Sequence, residues 1–147
     1  MKNKITKKLN YRLLFSILIL LFATSNNSWA FLEFDFSNNL VPLKELKRGG
    51  VPKDGIPAIL MPEIVTAEEA KEFMNGSDRI MSLSVNGEHR AYPIKILNWH
   101  ELVNDRLGDR DVLVSFCPLC GTGLVFERNI GDEALIFGVS GLLYNSD

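Results

Sequence analysis

The chemistry open to this chain starts from two cysteines. Cys117 and Cys120 are the only ones in 147 residues, in the string Cys117-Pro118-Leu119-Cys120-Gly121. Two thiols two residues apart have three main uses: a plain disulfide, a redox dithiol, or half of a metal site. As a staple the disulfide is weak, because closing so short a loop gains only about 2 kcal/mol in the chain-entropy model. A thioredoxin-type dithiol sits at a helix N-terminus, which lowers the pKa of its first thiol. Here Gly121-Thr122-Gly123 and then a strand pattern follow, and two glycines so close weaken any helix. Covalent haem attachment needs His directly after the second Cys, and Gly121 stands there instead.

The C-P-x-C-G string after a strand resembles the thiolate knuckle of zinc-ribbon and rubredoxin sites, where glycine lets the backbone turn so that both sulfurs face one point. Zinc usually takes four ligands, and no second C-x-x-C exists. The chain holds two histidines. His89 lies near a turn and is expected to face solvent. His100, in Asn98-Trp99-His100-Glu101, precedes a strand expected to pair with the cysteine-bearing one. A neutral imidazole beside two thiolates suits Zn²⁺ or Cu⁺. The expected metal ligands are therefore Cys117, Cys120 and His100, with Glu101 orienting His100 or serving as acid–base. The competing reading makes His100 a hydrogen-bonded core residue beside Trp99. Gly121-x-Gly123 lacks the third glycine and the helix of a dinucleotide site. Ser140 lies outside any G-x-S-x-G elbow and reads as a turn residue. Asp109 and Asp111 read as a solvated turn, and Trp99 and Phe116 as core.

The elements that must position these residues are mainly β. Arg79–Val85 alternates apolar and polar residues, Asn86-Gly87 is the favoured two-residue hairpin turn, and Glu88–Ile94 returns. Upstream, Thr66 and Glu69 form a capping box that predicts a short helix over Ala67–Met74, stopped by Gly76. Residues 95–107 predict a helical turn around Ile96–His100, then a strand from Leu102 to Leu107 paired through Gly108-Asp109 with the next segment. Val112–Phe116 is a buried strand leading into Cys117. Leu124–Glu127 predicts another strand, Asn129–Glu133 a turn, and Leu135–Val139 the return. Residues 31–62, broken by Pro42, Gly49-Gly50, Pro52, Gly55, Pro57 and Pro62, form an irregular arm. Leu40-Val41, Ile56 and Ile59-Leu60 are expected to tie that arm down. The fold class is thus mainly β (α+β), with antiparallel hairpins and one or two short helices over residues 63–147.

The chain opens with Lys2, Lys4, Lys7, Lys8 and Arg12, then the apolar run Leu13–Ala23, then Ser28-Trp29-Ala30. About eleven apolar residues fall short of the roughly twenty that a spanning helix needs. Basic, short apolar, then small-x-small is the order of a secretory signal peptide, so residues 1–30 are expected to be removed by cleavage after Ala30. An uncleaved membrane anchor is the alternative. The protein is expected to be exported, periplasmic or extracellular, with no stable membrane span once the signal is gone. All eighteen acids lie after residue 30, against eleven Lys and Arg, so the mature chain carries about −7. Such a surface does not favour nucleic acid or anionic lipid.

The strings AYPIKILNWHELVND, VLVSFCPLCGTGLVFER and FGVSGLLYNSD, with GGVPKDGIPAI upstream, resemble the bacterial family known as domain of unknown function 3179. The resemblance spans roughly residues 35–147. Its hallmark segments fall at Asn98–Glu101, Cys117–Gly123 and Gly138–Asp147. Family members continue past the Asn-Ser-Asp string, which implies that this chain ends inside the domain and that later residues complete it. The resemblance brings no reaction. From the residues the leading expectation is a metal-binding domain, catalytic or a carrier. The alternatives are a non-catalytic structural or interaction β-domain with a Cys117–Cys120 disulfide, and a thiol–disulfide oxidoreductase of non-thioredoxin fold.

Overall fold

The computed structural model describes residues 34–145. The expected signal peptide lies outside them. The chain divides into two units, Met1–Leu40 and Val41–Asp147. In the described part of the first, the rings of Phe34 and Phe36 lie 5.7 Å apart. The second unit is mainly β, as the alternation required. Among the described residues no helix is long and apolar enough to cross a membrane.

The centre of the second unit is a three-stranded antiparallel sheet in the order β4 (Leu102–Leu107), β5 (Arg110–Cys117), β6 (Thr122–Glu127). Leu107 pairs with Arg110 across Gly108-Asp109, and Gly108 takes the positive φ that this turn requires. Val112, Leu113, Val114 and Phe116 are all buried, so β5 is covered on both faces. Burying each such side chain contributes about 1.5–3 kcal/mol.

One face of the sheet packs under a hairpin and a helix. β2 (Ile80–Val85) and β3 (Glu88–Pro93) pair as the sequence predicts, with Val85 opposite Glu88. Asn86 and Gly87 both take positive φ, the twist that closes a two-residue hairpin. Helix α1 (Ile94–His100) starts at Pro93, which cannot donate to the ladder but is well placed before a first helical turn. Tyr92, Leu97, Val103, Val114 and Phe116 form the core here, with Met81, Leu83 and Ile94 packed against it. Only Leu97 of α1 is buried, and Trp99, on another face of so short a helix, is 77% exposed. The expectation of a core Trp99 is thereby corrected, while Phe116 is core.

The opposite face and the outer edge carry residues 47–59 of the arm and the C-terminal segment. Ile59 forms a parallel bridge with Val103 on the outer edge of β4, through Ile59 N–H to Leu102 O at 2.9 Å and Asn104 N–H to Ile59 O at 2.8 Å. β1 (Lys47–Arg48) pairs antiparallel with β9 (Leu142–Leu143). Gly49 N–H to Gly141 O and Asp54 N–H to Val139 O, both 2.8 Å, extend that pairing. Gly141 has φ +68, and a Cβ there would lie 2.3 Å from Val51 O, so only glycine fits. Ile59 ties the arm down as expected, whereas Leu60 is exposed.

Three further expectations are revised. The Thr66–Glu69 capping box forms, with Glu69 Oε2 accepting from Thr66 N–H at 2.7 Å. Yet only a 3-10 turn, Glu69–Glu72, follows it, because no residue of that turn is buried and isolated short helices are marginal. The return after the Gly131 turn is β8 (Glu133–Ala134), pairing with β7 (Asn129–Ile130). Residues 135–139 are not in the ladder and are held instead by Asn104 and Arg128, whose guanidinium donates to Leu135 O at 2.6 Å. Asp111 is no solvated turn residue. It lies in β5, 14% exposed, and pairs with Arg128 and Arg106, each at 3.4 Å.

Candidate functional site

Cys117 ends β5 and pairs with Thr122, which starts β6. The tip between them is closed by Gly121 N–H donating to Cys117 O at 2.8 Å, with Gly121 at φ +65. This is the strand-end knuckle that the buried run and Gly121 predict. Both cysteines are free thiols, Cys117 partly buried and Cys120 exposed. Cys120 N–H points at Cys117 Sγ, 3.4 Å away.

The two thiols are not equivalent. In the thiol form Cys120 Sγ–H donates to Cys117 O at 3.9 Å. Hydrogen bonding between the two sulfurs when one ionises is the main reason the Cys117 thiol is pushed above its ordinary range, with burial adding to it. The same hydrogen bonding is the main reason Cys120 is held below its ordinary range, and Thr122 donors add to it. Cys120 is therefore the sulfur that ionises first, and it is the one open to solvent. In a thioredoxin-type site the N-terminal cysteine of the pair has that role. Without a helix N-terminus here, the order follows from local donors and exposure.

A cavity of about 480 Å³ opens beside Cys117. Asn98, Glu101, Ser115, Phe116 and Cys117 line it from the sheet side, and Gly138–Leu143 from the other. The three hallmark segments of the family thus meet around one space. Ser140 is the expected turn residue, its Oγ accepting from Leu142 N–H at 3.0 Å. Sequence reasoning missed the wall that residues 138–143 supply. No local periodicity marks it, since it folds against β1 and the arm rather than into the main sheet.

Glu101 links helix to strand at the rim. Its N–H donates to Leu97 O and its C=O accepts from Phe116 N–H, both at 2.8 Å. Its backbone sits at φ 58, ψ −39, near the rare γ-turn conformation, which costs a non-glycine residue about 1–3 kcal/mol. Burial pushes the carboxyl above its ordinary range. Replacing Glu101 by Gly is expected to leave the melting temperature unchanged or raise it, because glycine relieves this conformation. A clear fall on thermal denaturation would show that the side chain, not the backbone, is what stabilises the corner.

His100 Nδ1 lies 2.8 Å from Pro57 O. A carbonyl only accepts, so Nδ1 carries the hydrogen of this contact. The structure brings Cys117 and Cys120 together but does not add His100 to them. Among the described residues no three of His, Cys, Asp and Glu converge as a metal-holding group. His89 is exposed, as expected, and its ring contacts Ser84 Oγ.

Fold and site together define a mainly β domain that carries a dithiol hairpin beside a cavity. Residues 53–147 match the family described as protein of unknown function (DUF3179), and the chain belongs to that family. No curated protein and no solved structure matches the chain.

Proposed function

We propose that this domain carries out thiol–disulfide exchange outside the cytoplasm, with Cys120 as the attacking sulfur and Cys117 as the resolving one. The observation that carries the reading is the division of labour in the pair: an exposed sulfur that ionises readily and a recessed, protonated partner within hydrogen-bond reach. The Cys120 thiolate attacks one sulfur of a substrate disulfide, and the other half leaves as a thiolate that takes a proton from water. Cys117 then loses its proton to solvent and attacks Cys120 Sγ, expelling the second half, which is protonated in turn. The protein gives up two protons and two electrons, and the substrate disulfide gains both. The basic, apolar, Ser28-x-Ala30 order of the N-terminus supports an exported site of action.

A second reading has its own support. Cys120 N–H directed at Cys117 Sγ is a contact that stabilises a metal-bound thiolate. Two sulfurs without a third converging donor suit two-coordinate Cu⁺ better than Zn²⁺, which wants four ligands. Thiol titration with metal analysis after anaerobic purification separates the readings. Two titratable thiols that oxidise reversibly and carry no metal are expected. A stoichiometric metal on unreactive thiols would move the assignment to a metal carrier. No free thiol, even after mild reductant, would leave a structural disulfide.

A further inference from the structure

The exchange reading leaves the cavity beside Cys117 without an occupant. Resting on that reading, we infer that the cavity receives a protonated amine on a short apolar arm, attached to the disulfide under attack, with Glu101 as its counter-ion. A space of about 480 Å³ is within the range of small-molecule pockets. Its walls are largely apolar, through Val51, Ile56, Leu102, Val139, Leu142 and Leu143, and they suit a methylene arm. Among the described residues Glu101 is the only Asp, Glu, Lys or Arg in the lining.

Four carboxylates in and around the sheet have cationic partners. Asp105 holds Arg90 and Tyr92, Asp111 holds Arg106 and Arg128, Glu127 holds Arg110, and Asp78 holds Lys95. The Glu101 carboxyl makes no hydrogen bond or ion pair among the described residues, and burial alone perturbs it. A partly buried carboxylate without a cation is destabilised, and an ammonium group that enters the cavity beside it removes that penalty. A carboxylate ligand would be repelled and a hydroxyl would gain only a neutral hydrogen bond. Asn98, Ser115 and Ser140 supply the polar contacts that orient the head group. Cys117, Pro118 and Leu119 of the hairpin tip line the same space, so an amine-bearing disulfide held here extends toward the tip that carries Cys120.

The test compares three disulfides of similar length on the full chain: cystamine, hydroxyethyl disulfide and dithiodipropionate. Each rate constant is divided by that of the same disulfide with dithiothreitol, which removes intrinsic reactivity. The expected result is a normalised preference of about tenfold for cystamine over the hydroxyl compound, the scale of one charge-assisted hydrogen bond. In Glu101→Gln the preference should shrink to about twofold or less, the residue of general charge attraction. Equal normalised rates overturn the inference. So does a preference that survives in E101Q, since it then belongs to the acidic surface as a whole. If no disulfide oxidises the pair, the exchange reading falls and a second measurement decides the cavity. Hexylamine should slow alkylation of Cys117, read by mass spectrometry, where hexanol does not, and this protection should be lost in E101Q. No protection by hexylamine overturns the inference.

Discussion

Cys120→Ser is expected to slow capture of a disulfide substrate by roughly a hundredfold or more, while Cys117→Ser should react and then stall as a stable mixed disulfide on Cys120. The asymmetry follows from the hairpin tip. Cys120 is exposed and its thiolate is stabilised by the Cys117 thiol and by Thr122 donors. Cys117 is recessed, and sharing its proton with Cys120 keeps it in the thiol form. Removing Cys120 deletes the accessible nucleophile. Replacing Cys117 by Ser deletes only the resolving step, because the serine hydroxyl can still donate to the Cys120 thiolate. Intact-mass measurement after brief exposure to a disulfide reads both outcomes. Equal capture by the two variants, or a stable adduct only on Cys117, would reverse the assigned roles.

Asn104→Leu is expected to cost roughly 3–6 kcal/mol, a large share of the 5–15 kcal/mol that holds an ordinary domain together. Asn104 is 1% exposed. Its amide oxygen accepts from Phe137 N–H at 2.8 Å, and its amide nitrogen donates to Phe137 O at 2.9 Å and Ile59 O at 3.4 Å. One side chain therefore satisfies both backbone groups of Phe137, which lies outside any ladder, and adds a second, longer bond to Ile59 O, which already accepts from Asn104 N–H. Leucine keeps the branched shape and leaves no cavity, so the loss combines hydrogen bonding with a smaller overpacking cost. Each buried backbone group left alone costs about 1–3 kcal/mol. In a domain of this size the melting temperature should fall by well over about 10 °C. Leu124→Ala, at a residue 56% exposed on β6, should leave it nearly unchanged. A shift for Asn104→Leu no larger than that of the surface control would mean that Phe137 is held by other contacts.

Much of the fold was readable because it is local. The Asn86-Gly87 turn, the two-sided apolar run Val112–Phe116 and the helix-to-strand passage at His100–Leu102 each depend on residues close in sequence. The capping box was also readable, but the helix it announces was not realised. A cap removes one penalty at a helix start and cannot replace a buried face. The C-terminal return was misjudged for a related reason. Leu135–Val139 has a strand's composition, but it is held by the side chains of Asn104 and Arg128 and by scattered backbone bonds rather than by a neighbouring strand.

By itself the sequence determined where the cysteine pair stands and the shape of its turn. Strand, Pro118 and Gly121 are consecutive, and their backbone preferences act over a few residues. The sequence likewise determined the acidic charge of the chain after residue 30, which is a sum over residues and needs no coordinates. Only the tertiary structure decided which thiol ionises first, because that rests on exposure and on which donors reach each sulfur. It also decided that His100 turns its Nδ1 to Pro57, forty-three residues away in the chain, and that Glu101 enters a cavity walled by residues 138–143. Those contacts form when the arm and the C-terminal segment close over one face of the sheet, and long-range closure of that kind leaves no mark in local spacing.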